Sequence, residues 1–183
     1  EAGVQGGRRG YGISRYEDEH AGVRTRYRGG GYESYARATC ENFAALKKMK
    51  KSRQVLLMGP WTHGGWGVSN AGDIDFGNHS FINYNDLRLA WFDHFLKDLR
   101  SEVEEWPSTR IFVMGGGAGK ANYQGFLHHG GHWRDEEDFP LPDTQFTPYY
   151  LGPEGALSTA APSVPSASRY SFDPRDPVPT IGG

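Results

Sequence analysis

The pattern of apolar and polar residues predicts a helix followed by a buried strand in the first half of the chain. In "SYARATCENFAALKKM", residues 34–49, apolar side chains recur near helical spacing and basic residues follow at the C-terminal end, where they favour the helix dipole. The next apolar run, Val55–Met58, is short and predicts a strand that Gly59-Pro60 brings to an end. Helix and strand together predict one repeat of an α/β sheet.

A second helix is predicted before the character of the sequence changes near residue 104. The stretch "NDLRLAWFDHFLKDLR" predicts a helix packed on the sheet. Its apolar face comprises Leu87, Trp91, Phe95 and Leu99, widened by Ala90 and Leu96. Pro107 then opens a predicted strand over Arg110–Met114, and short apolar runs separated by Gly, Pro and Asp follow. We therefore predict an α/β domain over 1–103 and the start of a β-sandwich over 104–183.

His63 is the first candidate for chemistry. It follows the predicted strand in "GPWTHGG", and the carboxyl ends of strands are where open α/β sheets present ligand-binding and catalytic side chains. A loop histidine that only completes a hydrogen-bond network would give the same pattern. The residue type and position therefore favour a general base without excluding a structural role.

Glu33 is the candidate partner of His63. It follows the "GGGY" turn and lies one helix and one strand before His63, the place of the acid in α/β-hydrolase triads. A carboxylate there would fix the imidazole tautomer and stabilise the imidazolium. The alternative is a glutamate that only favours the N-terminal dipole of the following helix.

The nucleophile is not found in this sequence. The nearest approach to a G-x-S-x-G elbow, "GISRY", ends in Tyr16, and its Ser14 lies too close to Glu33 for the strands that separate elbow from acid. In "LHHGGHWRDEE", His128 and its neighbours have H-x-x-H spacing, but the glycines and Trp133 favour a packed loop over a zinc site. No metal ligand or organic cofactor is assigned.

Composition narrows the classes of partner. The formal charge of -2 gives no field that would attract nucleic acid or an anionic membrane. No apolar run is long enough to cross a bilayer, and the first residues lack the pattern of a signal peptide. The single cysteine, Cys40, cannot form an intrachain disulfide. These features favour a cytoplasmic protein and leave a homo-oligomer open.

Several stretches together, in order along the chain, resemble one family. They are "GYESYARATCENF", "GPWTHGG", "GDIDFG", "WFDHFLK", "RIFVMGGG", "HGGHWRDEEDFPLP", "YYLGPEGALS" and "FDPRDPVPTIGG". This set resembles the CocE/NonD hydrolases, the cocaine-esterase and X-prolyl dipeptidyl-peptidase type of α/β-hydrolase. Residues 1–29 match poorly, and their Arg/Gly bias would suit a shifted reading frame.

The resemblance implies a serine hydrolase with an appended jelly-roll domain and no cofactor. It would cleave small-molecule esters, β-lactam-type amides or Xaa-Pro peptides through an acyl-enzyme. His63 stands in the place of the family's general base, and Glu33 in that of the aspartate of "GWYD", with Gly31 replacing the tryptophan. The serine and the oxyanion tyrosine would precede this segment, so we expect an internal piece of the enzyme that is inactive alone. The rival interpretation is a degenerate piece or a non-catalytic β-sandwich module that binds a partner or a sugar.

Overall fold

The computed structural model describes residues 24–49, 52–65, 67–164 and 167–178. By its contacts the chain divides into two units, one running to Leu141 and the other spanning Pro142–Thr180. Neither Ser14 nor the rest of "GISRY" lies within the described residues. The second unit contributes one short antiparallel pair of strands, and the elements of the first unit position the candidate site.

The first unit contains both predicted helices and the strands predicted around Val55 and Arg110, together with further strands that the sequence did not predict. In chain order they are β1 (Thr25–Tyr32), α1 (Ala36–Met49), β2 (Gln54–Thr62), β3 (Asn70–Ala71), β4 (Ile74–Asp75), α2 (Tyr84–Lys97), β5 (Thr109–Met114), β6 (Leu127–His128), β7 (Gly131–Glu136), β8 (Tyr150–Leu151) and β9 (Leu157–Ser158). Both predicted helices are confirmed, and so is the strand after Pro107.

The main sheet has the strand order β1-β2-β5-β7. Its first three strands run parallel, and β7 pairs antiparallel with β5, so the sheet is mixed. The central strand β2 is buried along Val55, Leu56 and Leu57, as expected for a parallel strand covered on both faces. A second sheet of three short strands, β3-β4-β6, forms beside the loop that follows β2.

The two helices pack against the main sheet through aromatic side chains. On α1, Phe43 is fully buried and its ring meets that of Tyr27 edge-on at 5.9 Å. On α2, Trp91 is buried with Val55 and Val103. Asn83 caps the start of α2 by accepting a hydrogen bond from the backbone N–H of Asn85. Each helix thus buries one aromatic residue of its predicted apolar stripe.

The predicted apolar face of α2 is wrong at its edge. Phe95 and Ala90 pack against the cluster around Trp91, but Leu96 is 76% exposed. Leu99 is 51% exposed and lies beyond Lys97, the last residue of α2. Five residues along an α-helix correspond to a rotation of about 140°, so Leu96 lies far around the helix from Trp91. The spacing of apolar residues from Leu87 does not reveal that Leu96 is exposed, because the side of the helix that faces the sheet is set by the burial of Trp91.

The predicted end of β2 is also wrong. The strand continues through Gly59-Pro60 to Thr62. Proline costs no hydrogen bond to β5 here, because the pairing of β2 with β5 extends only to Met58. The Gly-Pro step therefore follows the end of the pairing of β2 with β5, while β2 itself continues and stays paired with β1.

No helix among the residues described in the structure is long and apolar enough to cross a bilayer.

A partly buried arginine on β1 is expected to lower the stability of the first unit. Arg26 lies over the rings of Tyr84 and Trp106, 5.3 and 5.8 Å from their centroids. Burial lowers the pKa of its guanidinium, while Tyr84 acts in the opposite direction. Because desolvation of a buried charge outweighs a cation–π contact, we expect Arg26→Met to raise the free energy of unfolding by about 1 kcal/mol, measured by urea denaturation.

Arg37→Met is the matched control for this substitution. Arg37 lies on the exposed face of α1, where it pairs with Glu41 at 2.8 Å. A surface pair of this kind contributes little, so the control should change the free energy of unfolding by less than about 0.5 kcal/mol. An Arg26→Met protein no more stable than the parent would contradict the prediction.

Candidate active site

The register of two parallel strands brings His63 and Glu33 together. Tyr32 is the last residue of β1 and Thr62 the last of β2, and these two residues are paired across the sheet. Glu33 and His63 are therefore the first residues beyond neighbouring strand ends at the same edge. This is the position that the sequence predicts for both.

A hydrogen bond joins the two side chains. His63 Nδ1 lies 2.9 Å from Glu33 Oε2. The Glu33 side chain is only 3% exposed, whereas that of His63 is 53% exposed. The carboxylate is thus enclosed by protein while the imidazole reaches the surface. This arrangement is expected of a histidine whose ring is oriented by a buried carboxylate and whose other nitrogen can reach a substrate.

The backbone holds the other oxygen of the carboxylate. Gly30 donates its N–H to Glu33 Oε1 at 2.8 Å. A buried carboxylate is costly without hydrogen-bond partners, and each oxygen of Glu33 has one. Its orientation is therefore fixed by the end of β1 as well as by the histidine.

Glycines shape both strand ends. A Cβ atom on Gly30 would lie 2.1 Å from the carbonyl oxygen of Trp61, so only glycine fits where β1 passes β2. After His63, Gly64 has a φ of 86°, and Gly65 donates its N–H to the Thr62 carbonyl at 3.1 Å. This turn places His63 immediately after the strand.

An aromatic cluster supports the histidine loop. Trp61 packs on Trp133 with 5.7 Å between ring centroids, and Trp133 in turn meets Phe112 edge-on. The indole N–H of Trp61 donates to the Ser80 carbonyl at 3.1 Å, and that of Trp133 donates to the His79 carbonyl at 2.7 Å. The strand that carries His63 is thereby tied to the β5–β7 hairpin.

Sequence reasoning did not single out Tyr35 or Gly30. The ring of Tyr35 lies 5.4 Å from that of His63, on the exposed side of the pair. The run of glycines before Glu33 was the signal for Gly30, since such a run indicates a close approach of two backbones. No comparable signal identifies Tyr35, because an aromatic residue at a helix start is common.

Asp75 lies at the centre of a hydrogen-bond network. Asp75, in "GDIDFG", accepts hydrogen bonds from Ser69, from Asn122 and from the backbone of Gly77. The backbone N–H of His129 bonds to the Asp75 carbonyl at 2.8 Å. Within the described ranges, no group of three or more His, Cys, Asp or Glu side chains could hold a metal ion.

Comparison with known proteins gives matches to one type of hydrolase. Residues 101–179 match the X-Pro dipeptidyl-peptidase C-terminal non-catalytic domain. The cocaine esterase of Rhodococcus sp. (strain MB1 Bresler) is 34% identical over 166 residues, which cover 84% of this chain and 26% of that protein. Two crystal structures of a CocE/NonD family hydrolase from Staphylococcus aureus cover 76% of this chain and 21% of theirs, with 19% identity and a TM-score of 0.48.

The matches cover different parts of this chain and of its relatives. The chain spans about a quarter of the length of the esterase to which it is similar, 26%. The similarity to that esterase covers most of this chain, and the match to the non-catalytic domain covers its second half. The chain is therefore similar to one part of a cocaine esterase and to the C-terminal domain of X-Pro dipeptidyl-peptidases, which supports a piece of a CocE/NonD-type protein.

Proposed function

We propose that this chain carries the acid–base pair of a serine hydrolase, with His63 as the general base and Glu33 as the residue that orients it. The contact between His63 Nδ1 and the enclosed Glu33 carboxylate, at 2.9 Å, carries the proposal. With Nδ1–H donating to the carboxylate, the neutral imidazole has its lone pair on Nε2. A general base needs that tautomer.

The proposed reaction proceeds through an acyl-enzyme. A serine supplied by another part of the complete gene product attacks the carbonyl carbon of an ester or amide, and His63 takes the serine proton. Glu33 stabilises the imidazolium, which then gives its proton to the leaving group as the bond to that group breaks. Water, activated by the same imidazole, releases the acid and restores the serine.

The substrate class proposed is a small ester, a β-lactam-type amide or an Xaa-Pro peptide. The name of one relative, cocaine esterase, supports an ester, and the matched domain family is that of X-Pro dipeptidyl-peptidases. The pair in this chain serves all three, because each passes through the same tetrahedral intermediate. The acyl pocket therefore decides among them.

We further propose that residues 1–103 belong to an α/β-hydrolase domain and 104–183 to the start of a jelly-roll domain. The match that begins at residue 101 supports this boundary. The compact units divide later, at Leu141, because β5 pairs with β2 and β7 pairs with β5 in the main sheet. The boundary of the matched domain family and the boundary between the compact units therefore lie at different residues.

A fluorophosphonate probe tests the enzyme proposal. We expect the complete gene product to be labelled on one serine outside residues 1–183, and the 183-residue chain to remain unlabelled. Pretreatment with an unlabelled fluorophosphonate is the control for specific modification. A complete, folded product that resists labelling would contradict the proposal.

One observation favours a second candidate function. The family matched by residues 101–179 is described as a non-catalytic domain. If the complete product folds and is not labelled, that domain would be the functional part, as a binding module. Labelling of the product decides against this alternative for the whole protein.

A further inference from the structure

A polar cavity lies in the first unit, beside the loop that follows His63. It has a volume of about 430 Å³. Three segments line it: residues 67–70 of the loop, the stretch from Asp75 to Phe81, and the turn over residues 123–126. Neither His63 nor Glu33 is among the lining residues, so the cavity needs an explanation of its own.

Asp75 fixes these three segments relative to one another. Its Oδ1 accepts a hydrogen bond from Ser69 Oγ at 2.9 Å and from the Gly77 N–H at 3.0 Å. Its Oδ2 accepts one from Asn122 Nδ2 at 3.0 Å. The Oδ1 of Asn122 in turn accepts the N–H groups of Gln124 and Phe126, which holds the turn in shape. The cavity is therefore built before any ligand enters.

The lining of the cavity is negatively charged. Among the described residues that line it, Asp75 carries the charge, and none of them is a lysine or an arginine. Burial acts to raise the pKa of Asp75, but the hydrogen bonds from Gly77, Ser69 and Asn122 and the charge of His128 outweigh it, and the pKa lies below its usual range. The carboxylate is ionised at neutral pH, and Oδ2 retains capacity to accept another hydrogen bond.

Aromatic side chains line the same cavity as the Asp75 carboxylate. Phe81, Tyr123 and Phe126 line the cavity, and Tyr123 is 95% exposed. A ring face beside a carboxylate attracts an organic cation by cation–π and Coulomb interaction together. An anion is disfavoured by the same charge, and the cavity offers too few carboxylates for a metal ion.

We propose that this cavity binds the ammonium group of a small organic cation, with Asp75 as the counter-ion and the rings of Phe81 and Tyr123 as the contacting faces. Ser69 and Asn122 act as positioning residues, because they hold the carboxylate. The proposal does not rest on His63 acting as a base. Failure of cation binding would leave the expected serine labelling unchanged.

Choline is the probe that tests the proposal, titrated into the 15N-labelled 183-residue chain and followed by NMR. We expect saturable shifts of the backbone amides of Gly77, Gln124 and Phe126. The neutral isostere 3,3-dimethyl-1-butanol should bind about tenfold more weakly, since it lacks the charge. Equal binding of the two compounds, or no saturable shift with choline, would overturn the proposal.

Two variants locate the site. Tyr123→Leu should weaken choline binding about fivefold without changing the thermal midpoint, because the exposed Tyr123 ring makes no described hydrogen bond. Tyr149→Leu is the matched control: Tyr149 is also exposed, and it lies outside the cavity lining. Asp75→Asn should abolish the preference for choline over its isostere. If that variant does not fold, the tyrosine pair decides, and equal effects of the two tyrosine variants would count against the site.

Discussion

Replacing His63 with alanine in the complete gene product is expected to lower kcat/KM toward an aryl ester by a factor of roughly 10⁴ or more. The imidazole is the proposed carrier of the serine proton in both halves of the reaction, so its loss slows acylation and deacylation alike. KM should change little, because the imidazole contributes to the transition state rather than to ground-state binding. Steady-state hydrolysis of a p-nitrophenyl ester measures both constants.

His132→Ala is the matched control for this loss. His132 is exposed on β7, where it pairs across the strand with Val113, and it makes no described side-chain hydrogen bond. Its replacement should leave kcat/KM within about twofold of the parent enzyme. A His63→Ala enzyme that retains more than a tenth of the parent activity would exclude His63 as the base.

Glu33 offers a graded test of the same pair. Glu33→Gln removes the charge but keeps the length, and the amide presents an N–H where the imidazole needs an acceptor. We expect a smaller loss than for His63→Ala, about 10² to 10⁴, since the carboxylate orients and stabilises the imidazole but does not carry the proton. The two losses should not add in the double variant, because the residues act as one unit.

The candidate pair was predictable because its two residues follow strand ends. The polar residue that follows a strand is a local feature in both cases, although the "GGGY" stretch predicted as a turn is the end of β1. Neighbouring parallel strands then bring their ends to one edge. The contact between His63 and Glu33 then follows from the pairing of Tyr32 with Thr62. One additional methylene in glutamate does not prevent the 2.9 Å contact.

Other features depended on contacts between distant residues and could not be predicted. The continuation of β2 past Pro60 depends on where its pairing with β5 stops, at Met58. The placement of β5 beside β2 joins residues far apart in sequence, and the composition change near residue 104 gives no hint of it. The aromatic cluster of Trp61 and Trp133 likewise forms only through that pairing.

Strand β1 was hard to predict from the sequence because it carries charged residues. A parallel strand covered by helices is normally apolar, but β1 carries Arg26 and Arg28 on the side that meets Tyr84. Burial lowers the pKa of Arg28 to about 10. The apolar pattern of this strand is therefore weak in the sequence, and its pairing with β2 rather than its composition defines it.

Gly30→Ala is expected to cause a large loss of stability in the first unit. A Cβ atom there would lie 2.1 Å from the carbonyl oxygen and 2.8 Å from the carbonyl carbon of Trp61. Both atoms are backbone, so no side-chain rotation relieves the clash, and β1 must separate from β2. We expect a loss of about 3 kcal/mol in the free energy of unfolding, measured by urea denaturation of the chain.

The same substitution should also disrupt the candidate site, which distinguishes it from ordinary overpacking. Gly30 donates its N–H to Glu33 Oε1, so displacing β1 removes one of the two hydrogen bonds that orient the carboxylate. The downfield proton signal of the His63 Nδ1–H should therefore weaken or vanish at temperatures where the chain is still folded. Gly116→Ala is the control, because a Cβ atom at Gly116 meets nothing within 4 Å. If Gly30→Ala matched that control in stability and in the imidazole signal, the close passage of β1 over Trp61 would not be what holds Glu33 against His63.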